Sequence, residues 1–575
     1  MRKILTYLKS YKKECVLAPL FKLLEATFEL FVPLVVAAIV DTGIARGDTG
    51  YILRMCGIMI LLGVIGLACS VTAQYFAARA AVGFSTKLRH ELFAHIQGLS
   101  FTELDQAGTS TMITRMTNDV NQVQSGVNLV LRLFMRSPFI VFGAMAMAFT
   151  IDVKAAMVFV VTIPLLSVVV FGVMLISIPL YRRVQNALDQ VLGKTRENLT
   201  GARVIRAFHR EEEEIDEFER RNGVLNSLQR FVGKLSGLMN PLTFIIINMA
   251  IVVLIYVGGV QVDTGVITQG EVVALVNYMS QILVELVKLA NLIITVTKAV
   301  ACGNRIGQML EVQSSQKDGK EAFTESGTPE DYIVFEHAQL TYAGSSVPAL
   351  ADLNLRVKQG QTIGVIGGTG SGKTSFVHLL PRFYDTTAGS VRIGGRDVKD
   401  YRIEELRRRI GIVMQKAVLF HGTIRENLLW GNENATEEEL WAALDTAQAR
   451  NVVESKTLGL DEPVGQGGGN FSGGQRQRLT IARALVRRPD ILILDDSASA
   501  LDYATDAALR KAIRGMSGGM TVFIVSQRTS SIQHADQIVV LDDGRMVGLG
   551  THDELLEGCE IYREIYESQY RKEGA

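Results

Sequence analysis

A glycine-rich motif in the sequence has the composition and spacing of a phosphate-binding loop. It follows an apolar run, Thr362-Ile-Gly-Val-Ile366, that is typical of a strand. Glycines let backbone N–H groups approach phosphates, the lysine reaches the β and γ oxygens of a nucleotide, and the final threonine can hold Mg²⁺. We therefore expect a strand, a loop and a helix that together bind a nucleotide. The motif comprises Gly367, Gly368, Thr369, Gly370, Ser371, Gly372, Lys373 and Thr374.

Two adjacent carboxylates follow a second apolar run, Ile491-Leu-Ile-Leu494. We expect this run to be a strand that ends at Asp495 and Asp496. Asp495 supplies the carboxylate that complements Thr374 at the metal ion, through a water molecule. Asp496 occupies the position of a general base for nucleotide hydrolysis, although a glutamate there would reach further.

The region around these motifs alternates short strand-like runs with helical ones. From Asp331 onward, the alternation predicts an α/β domain with a largely parallel sheet. Before it, residues 313–330 have the composition of a linker. We therefore place a nucleotide-binding domain at 331–575, after a linker at 313–330. The strand candidates are Val334–Phe335, Leu353–Leu355, Thr362–Ile366 and Val391–Ile393, and the helix candidates are Lys373–Leu380, Thr436–Ala447 and Gly474–Val486.

The overall composition separates this domain from an apolar N-terminal half. The chain has 575 residues, a formal net charge of +0 and 48% hydrophobic residues. A neutral chain has no whole-molecule basic field, so the composition gives no support for a nucleic-acid partner. The five cysteines are scattered without a metal-ligand spacing, and we interpret them as packing residues.

Six apolar stretches in residues 1–312 are long enough to cross a bilayer, for which about 20 residues suffice. Two charged segments, 79–128 and 180–236, separate the second span from the third and the fourth from the fifth. Their helical periodicity predicts extensions of the membrane helices, with turns near Phe101–Asp105 and Ala207–Glu212. The six stretches are 16–40, 54–78, 129–151, 153–178, 238–262 and 272–298.

Basic residues predict the orientation of these spans. Lys and Arg are frequent before the first span and after the second and fourth, and nearly missing from the short turns. Because basic flanks stay in the cytoplasm, both termini and the nucleotide-binding domain are predicted to be cytoplasmic. The N-terminus lacks a small-residue cleavage site, so we interpret it as an uncleaved segment of a multi-pass protein of the cytoplasmic membrane.

A further motif, Phe471-Ser472-Gly473-Gly474-Gln475, lies before Asp495 at the start of a predicted helix. Together with the phosphate-binding loop and the six spans, it resembles an ABC transporter half of the exporter type. The resemblance covers essentially the whole chain. It implies that ATP and Mg²⁺ are the cofactors and that the lipid bilayer surrounds the spans.

The resemblance also implies roles for single residues. Tyr342 is similar to the aromatic residue that stacks on adenine, and Gln415 to the glutamine that senses Mg²⁺ and contacts the membrane domain. Ser499-Ala-Leu-Asp502 is similar to the loop that crosses between two nucleotide sites. In this family each ATP lies between the phosphate-binding loop of one subunit and the signature of the other. Ser472, Gly473, Gly474 and Gln475 would therefore contact the partner's nucleotide.

Two positions depart from the family pattern: Asp496 replaces the usual catalytic glutamate, and Gln527 replaces the usual switch histidine. A shorter carboxylate and an uncharged amide predict an impaired site. Because the signature is intact, we interpret the chain as the degenerate subunit of a heterodimer whose second ABC half carries glutamate and histidine. The alternative, tolerated variants in a working homodimer, stays open.

Cargo contacts are predicted from polar residues in the sixth span. Asn277, Gln281 and Glu285 have helical spacing and form one stripe, which Lys288 continues. Polar side chains at membrane depth face a cavity or a partner, so the stripe either binds cargo or pairs Glu285 with Lys288. The same two readings apply to Lys22, Glu25 and Glu29 on the first span.

The resemblance suggests amphiphilic or drug-like small molecules as the cargo, exported at the expense of ATP. Two alternatives remain at this point. One is a homodimeric exporter of lipids or peptides. The other is an ATP-gated regulatory membrane complex without sustained transport.

Overall fold

A computed structural model describes residues 4–323, 331–516 and 519–570. The chain divides into two compact units, one made of Met1–Gln97 and Ser110–Val312 and the other of Gly98–Thr109 and Gln313–Ala575. The boundary at Val312 coincides with the end of the predicted membrane domain. Part of the predicted linker, residues 324–330, lies outside the described residues, and so does the end of the predicted nucleotide-binding domain, 571–575.

The N-terminal half of the chain is helical. A 3-10 helix, Ile4–Tyr11, precedes the first long helix, and π-helical turns occupy Ile39–Ile44 and Arg115–Asp119. In chain order the α-helices are α1 (Lys12–Ala38), α2 (Thr49–Gln97), α3 (Phe101–Ala107), α4 (Thr109–Thr114), α5 (Val120–Leu133), α6 (Arg136–Ile151), α7 (Val153–Thr200), α8 (Ala202–Ala207), α9 (Glu211–Gly237), α10 (Met239–Asp263) and α11 (Gln269–Met309).

Within the described residues, six helical stretches are long and apolar enough to cross a membrane. Each contains one predicted span and extends beyond it, because helices of 41 to 53 residues exceed the length that a bilayer requires. The predicted fold class of this half is therefore confirmed. The stretches are Ile4–Ile44, Thr49–Gln97, Thr109–Ile151, Val153–Thr200, Glu211–Asp263 and Gln269–Met309.

Small residues allow the membrane helices to approach one another closely. A Cβ atom on Gly126 of α5 would lie 2.3 Å from the Cβ of Ala299 on α11. On α2, Ala73, Ala77 and Ala80 are fully buried at helical spacing. Small side chains are usual where helix backbones approach closely, because they let the two helices make dispersion contacts along their length.

The first predicted cytoplasmic turn is a short helix, α3, and it belongs to the second unit. Ser100 and Glu103 form a capping box at its start, and Gly108 ends it with φ of 72°. The ring of Phe101 packs 4.4 Å from that of Phe383, and the backbone N–H of Ser315 donates to Glu103. These long-range contacts explain why this segment groups with the nucleotide-binding part, whereas sequence order placed it in the membrane domain.

The second unit is an α/β domain with two main sheets. Its strands are β1 (Ile333–Leu340), β2 (Leu350–Val357), β3 (Thr362–Gly367), β4 (Ala388–Ile393), β5 (Arg396–Asp397), β6 (Ile410–Val413), β7 (Gly422–Thr423), β8 (Pro463–Val464), β9 (Ile491–Asp495), β10 (Thr521–Val525), β11 (Gln537–Asp542) and β12 (Arg545–Gly550). Its helices are α12 (Lys373–His378), α13 (Ile403–Arg408), α14 (Ile424–Leu429), α15 (Glu437–Thr446), α16 (Arg450–Glu454), α17 (Gly473–Val486), α18 (Tyr503–Arg514), α19 (Thr529–Ile532), α20 (His552–Gly558) and α21 (Glu560–Tyr570).

The larger sheet has the strand order β12-β11-β3-β10-β9-β6 and is parallel from β11 to β6. The smaller sheet, β2-β1-β4-β5, is antiparallel. The prediction of a largely parallel sheet is therefore right for the first sheet and wrong for the second. The strands of the parallel sheet are buried apolar runs, as is typical of strands covered on both faces.

Candidate nucleotide site

The phosphate-binding loop joins β3 to α12 at the carboxyl edge of the parallel sheet, where such sheets bind ligands. Two of its glycines are required by the backbone. A Cβ atom on Gly367 would lie 2.1 Å from the carbonyl oxygen of Leu541, and Gly372 has φ of 94°, in the left-handed region. The predicted helix begins at Lys373 as expected, and it ends two residues early, at His378.

Lys373 folds over the loop from its first helical position. Its Nζ donates to the carbonyl oxygens of Gly367 at 2.9 Å and Gly368 at 2.6 Å. Burial lowers the pKa of Lys373, while the carboxylates of Asp496 and Asp495 oppose that shift. The ammonium group is thus held beside the loop, where phosphate oxygens would be its strongest partners.

Asp495, the last residue of β9, lies next to the loop. The hydroxyl of Thr374 donates to its Oδ1 at 3.1 Å. Its Oδ2 is buried and has no hydrogen-bond partner among the described residues. Burial raises the pKa of Asp495 to about 6, and the neighbouring Asp496 adds to the shift. A hydroxyl oxygen beside a carboxylate with one unpaired oxygen is a set of metal ligands that suits Mg²⁺.

Asp496 follows β9 in the left-handed region, with φ of 48°. Its backbone N–H donates to the carbonyl oxygen of Val525, which joins the carboxyl ends of β9 and β10. Gln415 donates to its Oδ2 at 3.2 Å, and burial raises its pKa. Aspartate adopts this backbone conformation more readily than glutamate does, so the residue type matches its position.

Gln527 is exposed, two residues beyond the end of β10. Its backbone carbonyl accepts a hydrogen bond from the side chain of Gln569 at 2.7 Å. Because β10 lies next to β9, the two altered positions follow neighbouring strands at the same edge of the sheet. Asp496 and Gln527 are therefore placed on the side of the sheet where the loop lies.

Tyr342 lies near α12, the helix that follows the phosphate-binding loop. Its hydroxyl is 2.8 Å from the Oγ of Ser375, and its ring meets that of Tyr384 edge-on at 5.0 Å. The ring is half-buried, and burial raises the pKa of its hydroxyl. Tyr384 was not singled out in the sequence, because nothing in the local pattern predicts that it contacts Tyr342.

The signature residues begin α17. The Oγ of Ser472 accepts from the N–H of Gln475 at 3.3 Å, and the Gln475 side chain accepts from the N–H of Ser472 at 3.0 Å, which forms a capping box. Ser472 and Gly473 are exposed. A Cβ atom on Gly474 would lie 3.0 Å from the carbonyl oxygen of Ala500, so the signature helix packs against the loop that follows Asp496.

Comparisons with known proteins give matches to both halves of the chain. The family model described as the ABC transporter transmembrane region matches residues 15–286, and the model described as ABC transporter matches residues 350–499. The chain belongs to the ABC transporter family. The first match includes the first five spans and part of the sixth, and the second includes the loop, the signature and the carboxylate pair of one ATP-binding domain.

Relatives of this ABC transporter half match it along nearly the whole length of both chains. An "Uncharacterized ABC transporter ATP-binding protein" of Mycobacterium tuberculosis is 38% identical over 570 residues, 98% of this chain and 97% of that protein. The "Putative multidrug export ATP-binding/permease protein YgaD" of Bacillus subtilis is 32% identical, over 99% of this chain and 98% of the relative. The solved structure of a bacterial Atm1-family ABC exporter with ATP bound has a TM-score of 0.79 and 22% identity, covering 98% of each chain.

These findings confirm the predicted family and fold class. The transporter half is a multi-pass membrane protein with a cytoplasmic nucleotide-binding domain. The ATPase domain binds ATP and couples its hydrolysis to transport. The Atm1-type structure, at 22% identity, supports the fold alone.

Asp495→Asn should make the nucleotide-free protein more stable at pH 8 by about 1–3 kcal/mol. The ordinary pKa is 3.8 and the folded value is about 6, so only the folded chain keeps the proton between these values. The stability from that proton is lost as the pH rises from about 4 to about 6. The asparagine variant avoids this loss.

Thermal unfolding of the detergent-purified protein, without nucleotide or Mg²⁺, measures the difference across this pH range. The advantage of the variant should shrink steadily as the pH falls from about 6 to about 4. An advantage that is constant across the range would contradict a raised pKa at Asp495.

The predicted polar stripe of the sixth span is divided in the structure. Asn277 is exposed and donates to the carbonyl oxygen of Val273, and the Oε1 of Gln281 is buried without a partner among the described residues. Glu285 is only 3% exposed and accepts hydrogen bonds from Arg136 at 2.6 Å and Lys288 at 2.8 Å. The ion pair that the sequence left as an alternative is therefore present. A cargo role for these residues stays a prediction.

Arg136 extends this pairing to the first span. It donates to Glu29 at 2.7 Å and lies 4.0 Å from Glu25, which in turn pairs with Lys22 at 2.6 Å. We call these residues the charge cluster. Arg136 was missed in the sequence because it lies 149 positions from Glu285, too far for any local pattern. The members of the charge cluster are Lys22, Glu25, Glu29, Arg136, Glu285 and Lys288.

Proposed function

We propose that this chain is the subunit with the weaker ATP site in a heterodimeric ABC exporter, which moves amphiphilic or drug-like molecules across the cytoplasmic membrane. The observation that carries the proposal is the pairing of an intact signature with two altered positions. Ser472 begins α17 in a complete capping box, while Asp496 and Gln527 follow neighbouring strands beside the phosphate-binding loop. One composite site would then be competent and the other impaired.

The short side chain of Asp496 supports an impaired ATP site. Its carboxylate is one methylene group shorter than that of glutamate and is engaged by Gln415 at 3.2 Å. General-base catalysis contributes about 10²–10⁴-fold and requires hydrogen-bond reach to the attacking water. Gln527 supplies an amide, which cannot carry the positive charge of an imidazolium. Both changes lower the rate expected at this chain's own loop, whereas Lys373, Thr374 and Asp495 still suit binding of ATP with Mg²⁺.

An exposed aromatic pair supports a partner subunit. Phe420 and Trp430 stack 4.2 Å apart at the rim of a surface cavity of about 580 Å³. Trp430 is 62% exposed, and Arg483 lies over the Phe420 ring. Aromatic rings left in solvent beside a cavity mark interaction surfaces more often than isolated exposed residues do. We assign this surface to the second ABC half.

The cargo class rests on similarity alone. The relative YgaD is named for multidrug export, and this chain matches it over nearly its full length. A homodimeric exporter of lipids or peptides, and an ATP-gated regulatory complex, are the competing functions. Reconstituting the purified complex into proteoliposomes separates the exporters from the regulatory complex, because only an exporter moves a solute against its gradient when ATP is added. Comparing an amphiphilic drug with a lipid and a peptide as the solute then separates the two kinds of exporter.

The chain expressed alone should hydrolyse ATP at least about tenfold more slowly than the complex purified with its partner from the native membrane. The reason is that a homodimer would contain Asp496 at both sites, whereas the heterodimer contains one competent glutamate. ATPase assays in matched detergent, with and without amphiphilic compounds, measure this difference. Full, substrate-stimulated turnover by a homodimer of this chain would contradict the heterodimer.

A further inference from the structure

A buried histidine faces the carboxylate proposed to bind the metal. His378, the last residue of α12, is 9% exposed, and its Nε2 lies 3.9 Å from the Oδ2 of Asp495. Both atoms are buried, and neither has a hydrogen-bond partner among the described residues. Most buried polar side-chain atoms are paired, so two unpaired atoms that face each other call for an explanation.

The imidazole ring is held in place by aromatic neighbours. Phe383 meets it edge-on at 5.2 Å, and the ring of Tyr384 lies nearly parallel to it at 6.4 Å. Tyr384 in turn donates from its hydroxyl to the Oδ2 of Asp105 on α3, at 2.6 Å. These contacts restrict rotation of the His378 ring away from Asp495. Through Tyr384, they also connect the histidine to α3, the first cytoplasmic turn.

Packing alone does not account for a histidine at this position. The neighbouring core contains Phe376, Leu379 and Leu380, all nearly fully buried, and an apolar side chain would fill the same space without burying a ring nitrogen. The ring nitrogen lies about 1 Å beyond ordinary hydrogen-bond distance from the carboxylate, a gap that a small shift of the site or one water molecule closes. Contacts of this kind commonly tighten when the ligand binds.

We propose that His378 is a positioning residue for the metal site: its Nε2–H donates to the Oδ2 of Asp495, directly or through one water, and so aims that carboxylate at Mg²⁺. Tyr384, anchored on Asp105, fixes the ring in this orientation. The inference rests on the proposed binding of ATP with Mg²⁺ at this loop. It extends that proposal to a residue that contacts neither the nucleotide nor the metal.

The test follows the binding of Mg²⁺ together with ATP at this chain's own loop. An azido-ATP analogue is photocrosslinked to the chain, in the purified complex, across a Mg²⁺ titration and in excess EDTA. His378→Phe keeps an aromatic ring and removes the donor. Loss of an outer hydrogen-bond partner typically weakens metal binding by 10–100-fold, so the Mg²⁺ midpoint should rise about tenfold. Crosslinking in EDTA should stay unchanged.

The matched variant His378→Gln retains an N–H donor, and its midpoint should stay within about threefold of the original. A midpoint that His378→Phe leaves unchanged would overturn the proposal. If His378→Phe loses the same fraction of crosslinking with and without Mg²⁺, the proposal is also overturned, since that result would indicate a packing defect. If crosslinking to the unaltered chain does not respond to Mg²⁺, the metal assignment fails as well, and this outcome is distinct from the other two.

Tyr384→Phe tests the support from α3, because it keeps the ring and removes only the bond to Asp105. We expect a shift in the same direction, smaller than that of His378→Phe. The double variant should show no more than the His378→Phe shift, since the tyrosine acts through the histidine. Additive shifts would overturn the link between Tyr384 and His378.

Discussion

Ser472→Ala should reduce ATP turnover of the two-subunit complex by about 10²–10³-fold, the loss typical of removing one preorganised group from an active site. Asp496→Asn should reduce this turnover by less than about threefold, because the proposed function makes the site at Asp496 the impaired one. The difference arises because Ser472 would complete the partner's competent site, while Asp496 belongs to this chain's own loop. The measurement is the steady-state ATPase rate of the purified complex at saturating ATP.

Ser472 also caps α17, so its loss needs a matched control. Thr436 forms the same kind of capping box with Glu439 at the start of α15, in the same unit. Removing a cap costs about 0.5–2 kcal/mol of stability, and Thr436→Ala should show this cost with nearly unchanged turnover. Near-complete losses of turnover from both Ser472→Ala and Asp496→Asn would show that the site at Asp496 is catalytic.

Arg136→Met should sharply reduce the yield of assembled protein, through a loss of about 3–5 kcal/mol. Arg136 is buried and pairs with both Glu285 and Glu29, so its removal leaves the nearly inaccessible Glu285 carboxylate without its closest cation. Adding Glu285→Gln to this variant should restore part of the yield, because the amide carries no charge. Detergent-extracted yield and thermal stability, measured on single and double variants, give the result.

Lys288→Met is the matched control for the charge cluster. Its side chain is 42% exposed, and Glu285 keeps its bond to Arg136 when the lysine is removed. We expect a clearly smaller loss of stability than that of Arg136→Met, because the buried carboxylate keeps its closest cation. If Glu285→Gln instead leaves assembly normal and changes which cationic compounds are exported, Glu285 contacts cargo and the cluster is not primarily structural.

The spans, the phosphate-binding loop and the signature could be predicted because local sequence determines them. Apolar runs of sufficient length specify membrane helices, and the motif from Gly367 to Thr374 specifies the end of a strand, a glycine-rich loop and the start of a helix. The predicted strands fall within β1, β2, β3 and β4 for the same reason. The antiparallel sheet was missed because a short apolar run does not reveal the direction of the strand beside it.

Sequence by itself identified the motifs of this transporter half that resemble an ATP site and the stretches that are long and apolar enough to cross a membrane, since both follow from residue types at short spacing. Only the tertiary structure decided which distant side chains meet. It placed Arg136 on Glu285, Asp105 on Tyr384 and His378 beside Asp495. The physical reason is that pairing depends on how helices and strands pack. A charged or aromatic residue gives no local indication of a partner that lies about a hundred or more positions away.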